Sequence, residues 1–329
     1  MTPIIEKLIA GKDLNKQEAQ SLTATLFSAN GSAQFIESSL LLLRKKGESI
    51  DELASLVQFL RKRTLAVKVD LPFLTDFCGT GGDGKRTFNI STLASIVAAG
   101  AGAYVVKHGN RSATSHCGSS DLMEKLGYPL NITPAQAVKK LREKHFVYLH
   151  APYFHPAFKQ VQPIRQKIKT KTIFNFLGPL LNPSNVEHQI IGVSEKSLLD
   201  VYPVLLQKLK AKHAWVIMNE DGYDEISLTG KAHAVQINQG KIRRITLQPS
   251  DFGLKKINPK LLATSNIREN LEIAKNILSG RDKSPRKDVV VANAALGLLA
   301  SGKAYNIKEG VALARFSLES GRALAVIQS

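Results

Sequence analysis

Apolar residues recur at helical spacing through the first 66 positions, as in Ile36, Leu40, Leu43 and again in Leu53, Leu56, Leu60. Asn15-Lys-Gln-Glu18 and Ser49-Ile-Asp-Glu52 each place a capping side chain three residues before a carboxylate, and Gly47 separates the last two helices. No strand pattern interrupts this stretch, so residues 1–66 read as a small all-helical domain. From Leu74 the period changes. Short apolar runs (LTDFC, AYVVK, FVYL, HQIIGV, HAWVIM) alternate with helical ones such as STLASIVAAG, which predicts an α/β domain over 67–329: a mostly parallel sheet covered by helices. Thr133-Pro134 predicts a capped helix start, Ser194 a cap for the next helix, and Pro203 a kink or an irregular part of it. EISLT, AVQIN and KIRRITL, with Asn238-Gln-Gly240 between the last two, predict a hairpin or meander on the sheet. Helices return from about Asn270.

The chain has 329 residues, 43% hydrophobic and 22% charged, which is globular usage and excludes disordered, collagenous and coiled-coil classes. Thr87 to Val106 is uncharged and long enough to span a membrane, but its small and polar residues and Gly100–Gly102 make it a buried helix followed by a strand, so no membrane role is expected. The formal net charge of +18 predicts attraction to phosphate-bearing partners. Only two cysteines occur, Cys78 and Cys117, without CxxC spacing, which argues against a disulfide framework or zinc site and for a reducing cytoplasm. Glu6 and Lys7 interrupt the run a secretory signal would need.

Chemistry concentrates after LTDFC. Gly79-Thr80-Gly81-Gly82-Asp83-Gly84, followed by Asn89-Ile-Ser91-Thr92 at a helix start, combines strand, glycine loop and helix N-terminus. Backbone N–H groups there can approach an anion closely, and the helix dipole favours negative charge. Two common phosphate motifs nearly fit. Gly79, Gly81 and Gly84 satisfy GxGxxG, but no acid lies between Asp83 and Asp121 to hold a ribose. GxxxxGK fits through Lys85 and fails at Arg86, where a hydroxyl should stand. A second polar cluster, Lys107-His-Gly-Asn-Arg111 with Ser119-Ser-Asp121, ends the next strand, so a ligand with more than one phosphate could bridge both at one sheet edge.

Taken with HPAFKQVQPIR, TIFNFLGPLLNP, DGYDEISLTG and NAALGLLASGKA, the segments GTGGDG, NIST, KHGNR and GSSD make the chain resemble the anthranilate phosphoribosyltransferase family over nearly its whole length. The resemblance implies transfer of phosphoribose from phosphoribosyl pyrophosphate to the amine of anthranilate, a step of tryptophan biosynthesis. It implies that Gly79, Thr80, Gly81, Gly82, Asp83, Gly84, Thr87, Asn89, Ser91, Thr92, Lys107 and Ser119 hold the sugar donor. Anthranilate falls to Gly79, Asn110, His155, Arg165 and Gly178, and Mg2+ to Ser91, Asp224 and Glu225. No residue is implied as an essential acid or base. A homodimer formed by the helical domain, which part of 155–180 joins, and closure of that domain over the cleft are also implied.

Four positions depart from the family pattern: Lys171 for arginine, His116 for lysine, Cys117 for serine and Tyr153 for asparagine, which bears on affinity more than on reaction class. Two other readings remain. A nucleoside phosphorylase would share the fold and attack with phosphate. A non-catalytic nucleic-acid-binding relative would explain the charge but would have less need of an intact GTGGDG loop and Asp224-Glu225 pair, so nucleic acid is not the expected partner.

Overall fold

The computed structural model describes residues 2–28, 31–111, 117–168 and 170–328. Four helices come first: α1 (Pro3–Ile9), α2 (Lys16–Leu26), α3 (Ala33–Lys46) and α4 (Ile50–Arg61). Both expected capping boxes form. The Asn15 side chain accepts from the Glu18 N–H at 3.0 Å, and that of Ser49 accepts from the Glu52 N–H at 3.3 Å. Glu52 is buried and also accepts from the Leu14 N–H (2.9 Å) and Lys46 Nζ (2.9 Å), tying three segments of the bundle together. Gly47 ends α3 with φ +87°, a conformation open to a residue without Cβ.

The remainder alternates strands and helices: β1 (Thr75–Gly79), α5 (Ile90–Gly100), β2 (Val105–Gly109), α6 (Ser119–Lys125), α7 (Pro134–Lys144), β3 (Phe146–His150), α8 (Ala151–Phe154), α9 (Phe158–Lys167), β4 (His188–Gly192), α10 (Leu198–Lys208), β5 (His213–Asn219), β6 (Ala232–Asn238), β7 (Lys241–Leu247), α11 (Ile267–Leu278), α12 (Arg286–Ala300), α13 (Ile307–Glu319) and α14 (Arg322–Ile327). The sheet order is β3-β2-β1-β4-β5-β6-β7. Neighbours from β3 to β5 are parallel, and β6 and β7 add antiparallel. The order reverses between β1 and β4, where Gly79 and Gly192 face each other in register. In open α/β sheets ligands bind beyond the carboxyl ends of the strands at such a reversal.

Alternation along the strands divides the core between the two faces. Phe77, Ile190, Trp215 and Ile217 pack against the apolar helices α5 and α12, which are buried nearly all round. Ile191, Val216 and Val235 face the other way, into a cluster that also holds Leu40, Leu56 and Leu60 of the bundle together with Val161, Ile173, Phe174 and Leu180. Arg61 Nε donates to the Leu180 carbonyl at 2.9 Å across the same boundary.

Two local expectations are corrected. EISLT forms no strand among the described residues, because the backbone of Ile226 pairs with a side chain rather than a neighbouring strand. Ser194 caps no helix; α10 starts at Leu198, and the Ser194 hydroxyl donates to the Gly81 carbonyl at 2.9 Å. Pro203 lies inside α10. The loss of one backbone donor there, worth about 3 kcal/mol, is offset by burying Tyr202, Leu205 and Leu206. AVQIN and KIRRITL do form the predicted hairpin as β6 and β7, and Thr133 caps α7. Among the described residues no helix is long and apolar enough to cross a membrane.

Candidate active site

The loop after β1 takes the shape its glycines allow: Gly81, Gly82 and Gly84 have φ of +65°, +76° and +71°. Next to it, β1 and β2 pair in register only at Thr75 and Val105. Farther along, side chains bridge the opening. Asp76, fully buried, accepts from the His108 N–H (3.1 Å) and from Asn182 Nδ2 (2.8 Å), and burial pushes its carboxyl up to about 6. Lys107, also buried, donates to the Phe77 carbonyl and reaches Ser91 Oγ at 3.5 Å. A cleft of about 460 Å3, lined by both polar and apolar side chains, opens where the strands part, within the range of small-molecule sites.

Every residue assigned to the sugar donor lines this cleft except Gly84. The N-terminus of α5 points into it. Two buried atoms there, Asn89 Oδ1 and Thr92 Oγ1, make no hydrogen bond among the described residues. A buried hydroxyl or amide without a partner is costly, and a polyhydroxylated, phosphate-bearing ligand would complete both.

Asp224 and Glu225 come from the loop between β5 and β6. Asp224 Oδ2 accepts from the Gly81 N–H at 3.3 Å, and Glu225 Oε1 from the Ser91 N–H at 2.9 Å, so the pair meets both the glycine loop and the helix start. A Cβ on Gly79 would strike the Asp224 carboxylate, and one on Gly192 would strike the Asp224 backbone carbonyl, which explains glycine at this facing pair. Burial, and then Asp83 beside it, pushes Asp224 up to about 7; burial followed by Asp224 raises Glu225 well above the usual carboxylate range. Carboxyls crowded in this way suit a divalent cation. Among the described residues no three His, Cys, Asp or Glu side chains converge on one metal position; the two carboxylates and the Ser91 hydroxyl are hard oxygen donors, the kind magnesium takes when phosphates complete its shell.

The residues assigned to anthranilate divide. Asn110, Gly178, Gly79 and Arg165 line the cleft; His155 does not. It stands behind His108, their Nε2 atoms 3.2 Å apart, while its Nδ1 meets Thr64 Oγ1 at 3.2 Å. Burial holds His155 down to about 4 and His108 well below its ordinary value, so both imidazoles are neutral at pH 7. Arg165 lies over the rings of Phe174 (5.0 Å) and Phe158 (5.8 Å), which hold its planar group at the cleft wall.

Of the family departures, Lys171 lines the cleft and pairs with Glu195 at 2.8 Å. Cys117 lines it as a buried thiol that burial pushes up to about 11. Tyr153 packs on Phe154 instead, and His116 lies outside the described residues. The sequence reading missed His108, Asn175 and Ser194 as wall residues. His108 was visible in KHGNR; the other two come together only through the sheet and the 173–181 segment.

Known proteins resemble this chain over nearly its whole length. Residues 71–324 match the family described as glycosyl transferase family, a/b domain, and residues 2–64 match its helical bundle domain. The chain is 39% identical over 325 residues to the anthranilate phosphoribosyltransferase of Moorella thermoacetica, covering 99% of this chain and 96% of that one. With the enzyme of Pelotomaculum thermopropionicum it shares 40% over 324 residues, covering 98% and 94%. Among solved structures, the anthranilate phosphoribosyltransferase of Thermus thermophilus superposes with a TM-score of 0.92 at 36% identity, covering 99% and 97%. The Saccharomyces cerevisiae enzyme in complex with PRPP and Mg does so with a TM-score of 0.88 at 29% identity, covering 98% and 94%.

Proposed function

The chain belongs to the anthranilate phosphoribosyltransferase family, and on that premise we propose which of its residues carry the transfer from phosphoribosyl pyrophosphate to anthranilate. The observation that supports the assignment best is the convergence of the glycine loop, the α5 N-terminus and the Asp224-Glu225 pair on one cleft edge.

The donor lies along Gly79–Gly84, Thr87, Asn89, Ser91, Thr92, Lys107 and Ser119. Loop N–H groups and the Lys107 ammonium meet its phosphate oxygens, with Thr92 Oγ1 and Asn89 Oδ1 paired by phosphate and ribose. Ser91, Asp224 and Glu225 hold magnesium, which when bound neutralises charge on the pyrophosphate. Arg165 takes the anthranilate carboxylate with its fork, and Asn110 and the Gly178 backbone set the ring beside the sugar. His155 acts from behind, by fixing His108.

The amine nitrogen forms a bond to the anomeric carbon as the bond from that carbon to the pyrophosphate oxygen breaks, and the electron pair leaves with pyrophosphate. The nitrogen then releases its proton to solvent. The protein's contribution is proximity and prearranged charge rather than a dedicated base. We further assign the helical domain to residues 1–66 with part of 155–180, the α/β domain to 67–329, a homodimer to the bundle, where Ile9 and Leu41 are exposed, and the cytoplasm as the compartment. Loss of anthranilate fluorescence on adding phosphoribosyl pyrophosphate and magnesium tests the reading. Turnover is expected to need both, and Asp224→Asn to abolish most of it; turnover without metal would sink the magnesium assignment.

A further inference from the structure

A polar side chain inside an otherwise apolar helix requires a reason, and α12 contains one. Asn293 is buried, with Val289 to Ala292 and Ala294 to Leu296 around it fully buried and apolar. Both amide hydrogens and the amide oxygen are engaged. Oδ1 accepts from the Ile226 N–H at 3.0 Å, and Nδ2 donates to the Ile226 carbonyl at 2.9 Å and to the Val289 carbonyl at 2.8 Å. One side chain therefore does for Ile226 what a neighbouring strand would do, pairing its N–H and its C=O together. Ile226 directly follows Asp224 and Glu225, and Asn293 also walls a space of about one water's size beneath both carboxyls, together with Ser91 and Cys78.

We propose that Asn293 is a positioning residue that holds the Asp224-Glu225 pair at its metal-binding geometry by anchoring the backbone of Ile226. The inference rests on the reading of that pair as magnesium ligands. Among the described residues no strand pairs with the backbone just after the two carboxyls; the Asn293 amide alone engages both the N–H and the C=O of Ile226. The anchor comes from α12, which lies under β1 and β4 and contacts both, so its position is set by the core rather than by ligand.

The test compares Asn293→Leu and Asn293→Asp with Asp224→Asn in the full-length protein. Hydrogen exchange reads the anchor without any ligand: the Ile226 amide is expected to be protected in the parent, and to exchange at least tenfold faster in Asn293→Leu while the β5 and β6 amides stay protected. Mn2+ binding in the presence of phosphoribosyl pyrophosphate, read by electron paramagnetic resonance, is expected to weaken at least fivefold. The KM for anthranilate at saturating metal is expected to change less than twofold, and added metal to restore kcat. Asn293→Asp keeps the bond to the Ile226 N–H and should fall between parent and Leu variant; it also carries the test if Asn293→Leu does not fold. Weakened Mn2+ binding in Asp224→Asn with parental binding in both Asn293 variants overturns the inference alone. Parental Mn2+ binding in Asp224→Asn overturns the metal reading beneath it. Equal loss in metal and anthranilate parameters at an unchanged melting temperature also counts against a positioning role.

Discussion

Asp224 carries the sharpest consequence at the residue scale. Its carboxyl, pushed up to about 7 by burial and by Asp83, holds a proton that a cation must displace. Metal binding therefore releases a proton, and apparent Mg2+ affinity should fall as pH drops below 7, by up to about tenfold per unit. Calorimetric titration between pH 6 and 8 checks this. A raised carboxyl also costs the metal-free fold stability above its folded pKa, because the folded state disfavours the charged form. Asp224→Asn should accordingly raise the melting temperature of metal-free protein at pH 8 by about 2–5 °C while removing metal binding. Arg165 makes a separable prediction. Arg165→Ala should raise the KM for anthranilate by about 10- to 100-fold, the worth of a charge-assisted pair, with much less effect on that for the sugar donor; equal effects in steady-state kinetics would refute its role. The glycine loop and Arg165 differ in legibility. The loop is local in sequence, so its spacing could be read directly, whereas Arg165 meets the cleft because α9 brings it over two rings, Phe158 of α9 and Phe174 of the following 173–175 turn. The same tertiary dependence placed His155 behind the wall rather than on it.

At the scale of elements, the facing glycines of β1 and β4 set how closely the carboxylate loop approaches the sheet. At Gly192 the obstacle to a Cβ is backbone, which cannot rotate away. Gly192→Ala should cost about 2–4 kcal/mol in denaturant unfolding and weaken metal binding together, because overpacking displaces the loop. Most strands were legible from apolar runs, and three helix starts from the caps at Asn15, Ser49 and Thr133. EISLT misled because its alternation is that of a strand, while the backbone pairing that decides the matter comes from Asn293, 67 residues away. Ser194 misled for a related reason: its hydroxyl is engaged by the Gly81 carbonyl, a contact between two loops that no local pattern encodes.

For the whole molecule, the net charge of +18 and the phosphate-binding role proposed for the cleft act in the same direction. The kcat/KM for phosphoribosyl pyrophosphate should decline as ionic strength rises from about 10 to 300 mM, since screening shortens the reach of the field. Stopped-flow binding measures the association step directly. The division into a helical and an α/β part was legible from the change in hydrophobic period at Leu74; the extent to which the two share a core was not, because Ile173 and Phe174 show no pattern that distinguishes their partners.

That shared core also bears on what a protease could do. The chain leaves the bundle after Arg61, and Val161 and residues 173–181 return to pack against it before β4 begins. Cleavage within 65–73 would therefore release nothing: the two fragments would stay associated through Leu40, Leu60, Phe174 and Leu180, and through the Arg61 bond to the Leu180 carbonyl. A gene split at that point should yield two polypeptides that assemble into one working enzyme.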